Sequence, residues 1–342
     1  MQGKCANLGI CSVSGAAEPL HSCDAKGAVM KKSLSRRQFH RTALAAGAGI
    51  GLSRGRVMAQ TRKTIRLGGP VFEAFEDPAD WITALRKLGY SAALSPVKAS
   101  DSSERKQAFV EAARQANIIM AEVGAWSNPI SPDDNERQKA IDKNIRQLAL
   151  ADEIGANCCV NIAGSRGDKW DGPHPENVSE ETFDLIVETT RHIIDAVKPT
   201  RTFYTLEAMP WVLPDSPDSY LRLLKAIDRE QFGVHLDPVN MIHSPRRYYD
   251  TGGFIRECFK KLGPSIKNCH AKDIRLTDQL TTHLNEVIPG RGGLAYDVYL
   301  TELGKLSPDI GLVIEHLKTP KEYKQAASYI RSVGKEQGLE FI

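Results

Sequence analysis

The sequence predicts an α/β fold, a single (β/α)8 TIM barrel, on three observations. Eight short apolar segments alternate with eight long amphipathic ones between residues 64 and 337. The apolar segments read as near-continuous runs without in–out alternation, as expected of strands covered on both faces in a parallel sheet. No glycine-rich GxGxxG turn follows the first of them, so the competing doubly wound dinucleotide fold lacks its phosphate-binding turn.

Each element has a local cause. Strand 64–69 opens the series, and helix 78–88 starts at Asp77-Pro78, with proline at a first helical position, and stops at Gly89. Strand 91–96, helix 103–116 and strand 118–125 follow, then helix 133–154 ended by Gly155, and strand 158–164. Helix 179–198 has Ser179 as cap and Glu180 and Glu181 in its first turn. Strand 203–209, helix 215–228, strand 232–237 and helix 250–262, ended by Gly263, continue the alternation. Strand 266–273, helix 296–306, strand 311–317 and helix 320–337, opened by Thr319-Pro320, complete it. No Pro/Ser-rich linker divides the body, so residues 60–342 read as one barrel domain.

The 342 residues are 41% hydrophobic, 25% charged and 7% aromatic, which excludes a disordered, collagenous or disulfide-stapled chain. The formal charge of +3 belongs to a leader: residues 1–59 hold nine basic and two acidic side chains, leaving 36 basic against 40 acidic in residues 60–342. A body with that excess of acids has no electrostatic footprint for nucleic acid or an anionic membrane. In the leader, Lys31-Lys32 and Ser35-Arg36-Arg37-Gln38-Phe39 precede an apolar run over 42–52 and then Val57-Met58-Ala59, the order basic region, apolar core, cleavage site. That run has 11 residues, mostly Ala and Gly, where a bilayer span needs roughly 20. It predicts targeting rather than a membrane anchor. The segment resembles a twin-arginine export signal, which implies passage to the periplasm in folded form, with Met30 as a candidate true start. Cys5, Cys11 and Cys23 fall in the leader, and Cys158, Cys159, Cys258 and Cys269 form no CxxC pair, so buried structural thiols are expected.

In such a barrel, chemistry sits where strands end on the carboxyl side. Strands five to eight end in Thr205-Leu206-Glu207, His235-Leu236-Asp237, Asn268-Cys269-His270 and Val313-Ile314-Glu315. Each supplies one metal-competent side chain. Adjacent strands lie about 4.8 Å apart, so four consecutive ends can close around one ion. Three carboxylates and an imidazole form a hard set suited to one divalent cation, Mn²⁺ foremost, with Mg²⁺ or Co²⁺ as alternatives. Without a cation, three converging carboxylates would repel one another.

These ends, together with Leu206-Glu207-Ala208-Met209-Pro210, His235-Leu236-Asp237-Pro238-Val239-Asn240, His270-Ala271-Lys272-Asp273, Pro289-Gly290-Arg291-Gly292 and Ile314-Glu315-His316, resemble the xylose-isomerase-like barrels. That superfamily includes keto-sugar 3-epimerases, inosose isomerases and dehydratases, and a DNA-repair endonuclease. The resemblance implies that Glu207, Asp237, His270 and Glu315 bind one divalent ion, and that Glu207 and Glu315 face each other across the substrate as acid and base. The chain departs from the pattern at Asn240, where several relatives carry histidine, and lacks the early-strand histidines of the endonuclease branch.

Around the tetrad, Lys272 shares strand parity with His270 and is expected at the same mouth, on a substrate oxygen or paired with Asp273. Trp126 and Trp211 follow strand ends and are candidate sugar platforms, and Asn240 and Arg291 are further substrate-binding candidates. His235 and Asn268 fall one layer below the ligands, where they would orient them. The function expected is a metal-dependent isomerase or epimerase. It would act on a non-phosphorylated keto-sugar or oxidised glycoside by proton abstraction next to a carbonyl, the cation acting as electrophile for an enediolate. Elimination on the same scaffold, a non-catalytic carbohydrate-binding subunit and a metal-dependent hydrolase or endonuclease are the alternatives. The partner expected is a small sugar, with no nucleic acid and no membrane anchor; homo-oligomerisation stays open.

Overall fold

The structure is a computed structural model that describes residues 63–342; the leader and its twin-arginine segment lie outside the described residues. Eight parallel strands close on themselves: β1 (Thr64–Gly68), β2 (Ala92–Leu94), β3 (Ile119–Gly124), β4 (Cys158–Asn161), β5 (Phe203–Glu207), β6 (Phe232–Leu236) and β7 (Ile266–Ala271), then the barrel's last strand, Gly311–Ile314. Closure runs from Arg66 opposite Gly311 to Gly68 opposite Val313. The fold is a (β/α)8 barrel, as the alternation predicts.

Between strands stand α1 (Pro78–Leu88), α2 (Ser103–Ala116), α3 (Asp134–Ile154), α4 (Glu180–Val197), α5 (Pro217–Ile227), the short α6 (Pro245–Tyr249), α7 (Thr251–Leu262), α8 (Tyr296–Leu303) and α9 (Pro320–Glu336). The start signals act as expected: Asp77, Ser179 and Thr319 each accept a hydrogen bond from a backbone N–H of the first turn. Gly89 and Gly155 end their helices in the left-handed conformation. Gly263 does not. It stays right-handed and leads into a 3₁₀ turn, Gly263–Ser265, that feeds β7 directly. The core lies between strands and helices, where Trp81, Leu148, Tyr220, Leu223 and Ile255 are fully buried. The four described cysteines are free and buried.

One expected strand is two. Residues 266–273 divide at Lys272, and β8 (Asp273–Leu276) leaves the barrel to pair antiparallel with β9 (Leu284–Val287). The cause is Asp273, whose carboxylate accepts from the backbone N–H of Ile274, Gly290, Gly292 and Leu294 at 2.8–3.0 Å. Gly292 leaves room for it, since a Cβ there would lie 2.3 Å from Asp273 Oδ1. The Pro289–Gly292 stretch is therefore a loop clamped onto the start of the hairpin. The last barrel strand is β10 (Gly311–Ile314), and β11 (Glu340–Phe341) extends β1 at its amino end.

Candidate metal centre

The carboxyl ends of β5, β6, β7 and β10 carry Glu207, Asp237, His270 and Glu315. Buried tyrosines brace those ends. Tyr220 donates its hydroxyl to the carbonyls of Leu206 (2.9 Å) and His235 (3.1 Å), Tyr299 to that of His270 (2.8 Å), and Tyr296 to that of Lys272 (2.8 Å). One ligand atom from each of the four residues falls within 4.8 Å of all the others. His270 Nδ1 lies 3.1 Å from Glu207 Oε1 and 2.9 Å from Glu315 Oε1. Asp237 Oδ1 is held by the backbone N–H of Val239 (2.9 Å) and Asn240 (3.3 Å). Its other oxygen, Oδ2, and Glu315 Oε1 are buried and point toward the Lys272 ammonium. Hard carboxylate oxygens and an imidazole nitrogen, converging at this spacing, fit a divalent cation.

Lys272 balances the carboxylate charge. Its ammonium, 2% exposed, lies 2.6 Å from Glu315 Oε1, 2.8 Å from Asp237 Oδ2 and 3.6 Å from Glu207 Oε1. It pairs with the ligands and not with Asp273. Burial would raise the Glu315 and Glu207 carboxyls; the His270 and Lys272 charges outweigh it and hold both below the usual range. Asp237 goes the other way, pushed up to about 7 by burial against the pull of Lys272 and with repulsion from Glu207 and Glu315. The two glutamates and the aspartate thus sit in environments that push their proton affinities in opposite directions.

The tetrad opens into a cavity of about 380 Å³ lined by Glu207, His270, Glu315, Asn240, Trp126, Trp170, Met209 and Tyr323 among others. Asn240 donates to Glu207 Oε1 (3.1 Å) and accepts from Lys272 (3.2 Å), so it orients a ligand as well as facing the cavity. Trp126 lines the cavity; Trp211 stays on the rim with its indole N–H on the carbonyl of Asp171 (2.8 Å), and Trp170 is the second indole inside. Arg291 lies outside, in a neighbouring groove, with its side chain on Gln325. His235 and Asn268 are fully buried below the tetrad and hydrogen-bond to Glu122 on β3, not to the ligands directly. Glu122 is the site residue that strand-end reasoning misses, because it stands mid-strand; its signal was one acid inside the apolar run 118–125.

The sequence model of the xylose isomerase-like TIM barrel matches residues 82–333. The chain belongs to that family. No curated protein matches the chain in sequence. Among solved structures, a xylose isomerase-like TIM barrel protein from Mycobacterium smegmatis in complex with magnesium is similar at 17% identity, covering 81% of this chain and 98% of its own, with a TM-score of 0.56. The probable 3-DHS dehydratase of petrobactin synthesis from Bacillus anthracis is similar at 16% identity, covering 79% and 98%, with a TM-score of 0.60. The 3-keto-D-glucoside 4-epimerase of E. coli, in its apo form, is similar at 12% identity, covering 79% and 100%, with a TM-score of 0.57. At these identities the likeness is one of fold, that of the xylose isomerase-like barrels. Among the described residues no helix is long and apolar enough to cross a membrane.

Proposed function

We propose that this protein is a divalent-metal-dependent isomerase or epimerase that enolises a non-phosphorylated keto-sugar or an oxidised glycoside. The observation that carries the reading is the tetrad: three carboxylates and one imidazole, with donor atoms mutually within 4.8 Å, at the floor of an open cavity on the carboxyl side of the barrel. Glu207, Asp237, His270 and Glu315 would hold the cation. A bound divalent ion supplies an electrophile for the substrate's carbonyl and adjacent hydroxyl oxygens.

The remaining work falls to the chain. Whichever of Glu207 and Glu315 is ionised would take the proton next to the carbonyl, and the other, entering the cycle protonated, would give its own proton to the opposite face, which inverts or relocates the centre. Asn240, bonded to Glu207, keeps that carboxylate turned toward the cavity. Trp126 and Trp170 offer flat apolar faces for a sugar ring, and among the described residues none that lines the cavity is a lysine or arginine, which suits an uncharged substrate better than a phosphorylated one. Export of the folded protein through the Arg36-Arg37 signal agrees with that choice, since phosphorylated sugars are kept inside the cell.

The test is a screen of free and 3-oxo sugars in D₂O with added Mn²⁺, following deuterium incorporation at carbon. Exchange in the wild type that is lost with chelator is the expected result; no exchange with any keto-sugar or oxidised glycoside overturns the reading. Substitution of Lys for both Arg36 and Arg37 is expected to leave the protein in the cytoplasm, and normal export of that variant would refute the signal.

A further inference from the structure

The proposed chemistry leaves Glu122 unused, although it is a carboxylate only 5% exposed at the floor of the same cavity. Three donors from two other strands converge on it. His235 Nε2 lies 2.7 Å from Oε2, Asn268 Nδ2 2.7 Å from the same oxygen, and His270 Nε2 3.3 Å from Oε2 and 3.5 Å from Oε1. His235 and Asn268 are register partners across β6 and β7, and His270 follows Asn268 by two residues on the same side of β7. Small residues make room for this polar layer: a Cβ at Gly311 would lie 2.7 Å from Asn268 Oδ1, 3.1 Å from Ala121 and 3.2 Å from Ala92.

An ionised carboxylate only accepts, so each group turned toward it must present a hydrogen. Asn268 Nδ2 can only donate, so Glu122 Oε2 is the acceptor of that pair, and the same carboxylate faces His235 Nε2 and His270 Nε2. His270 must therefore place its Nε2–H on Glu122. A neutral imidazole has one protonated and one free nitrogen, and the free one is then Nδ1, the atom facing Glu207 and Glu315. The T-shaped packing of the His235 ring on the His270 ring, centroids 4.0 Å apart, fixes the ring plane from a second side.

We infer that Glu122 is a positioning residue: it fixes the tautomer and ring plane of His270 so that Nδ1 is offered to the cation, while His235 and Asn268 hold Glu122 in place. The inference rests on the metal reading above. A histidine ligand whose outer nitrogen donates to a carboxylate is both oriented and made more basic, and losing such a partner weakens metal binding about 10–100-fold.

The experiment uses the mature chain stripped with chelator and then titrated calorimetrically with Mn²⁺ alone. Glu122→Gln keeps the shape and removes the charge; it is expected to bind Mn²⁺ about 10–100-fold more weakly, with an apo melting temperature no lower than that of the wild type by more than a few degrees. Stoichiometric Mn²⁺ binding by the wild type with an E122Q affinity within twofold of it overturns the role of Glu122 while leaving the metal centre standing. No Mn²⁺ binding by the wild type overturns both. A second measurement needs no variant. In nitrogen-15 spectra of the Mg²⁺-loaded wild type, His270 should carry its proton on Nε2, and a proton on Nδ1 refutes the assignment.

Discussion

Replacing Lys272 with Met keeps the aliphatic stem and deletes the ammonium that lies among the three carboxylates. At an effective dielectric constant of about 20, a unit charge pair at the separations found here, 2.6, 2.8 and 3.6 Å, is worth about 5–6 kcal/mol before desolvation. Desolvation of the buried ammonium offsets most of that sum, and removing one member of a buried ion pair costs about 3–5 kcal/mol net. For a domain of this size, at about 2–4 °C per kcal/mol, the apo K272M protein should melt on the order of 10 °C below the wild type in chelator. A divalent ion contacting the same oxygens replaces the missing charge, so saturating Mn²⁺ should raise the melting temperature of K272M by more than it raises that of the wild type. Differential scanning calorimetry of both proteins, with chelator and with Mn²⁺, supplies the four numbers. A K272M protein that melts within about 2 °C of the wild type in chelator would show that the ammonium does not balance the tetrad.

Chelation of the wild type should lower its melting temperature, and E207Q, D237N, H270A and E315Q should each retain less metal by elemental analysis; a wild type without stoichiometric metal whose melting is indifferent to chelator and to added Mn²⁺ would rule out the site. Glu207→Gln and Glu315→Gln should each slow turnover about 10²–10⁴-fold with a smaller change in substrate affinity, and one of them should still exchange deuterium into substrate without forming product. Near wild-type turnover in both, with metal bound, would refute the two-base assignment. Burial, with Tyr323 adding to it and Arg331 opposing it, pushes the Tyr90 hydroxyl up to about 12. Its folded value exceeds its unfolded value near 10, so its contribution is intact below pH 10 and falls by at most about 3 kcal/mol as the pH rises to about 12. The loss should be absent in Y90F, and equal alkaline sensitivity of the two proteins would count against it.

Much of this was legible in the sequence because it depends on local pattern. Strand and helix order follow from apolar period and from caps such as Asp77, Ser179 and Thr319, whose hydrogen bonds reach only one turn along the chain. Residues at strand ends are also legible in a barrel, since the fold brings all carboxyl ends to one mouth, and so Glu207, Asp237, His270 and Glu315 could be grouped without coordinates.

What the sequence by itself determined, then, is the barrel, the identity of the four converging side chains and the burial of the four cysteines in the body. Tertiary structure alone decided the partners. Lys272 turned to the tetrad rather than to Asp273 because the loop 290–294 reaches Asp273 first with backbone N–H groups from across the hairpin. Glu122 became the centre of a hydrogen-bonded layer with His235, Asn268 and His270, residues 113 to 148 positions away along the chain. Trp170 entered the cavity and Arg291 left it for the same reason. Which long-range side chains meet is set by strand stagger and by the course of the loops, and neither is written in the period of any single segment.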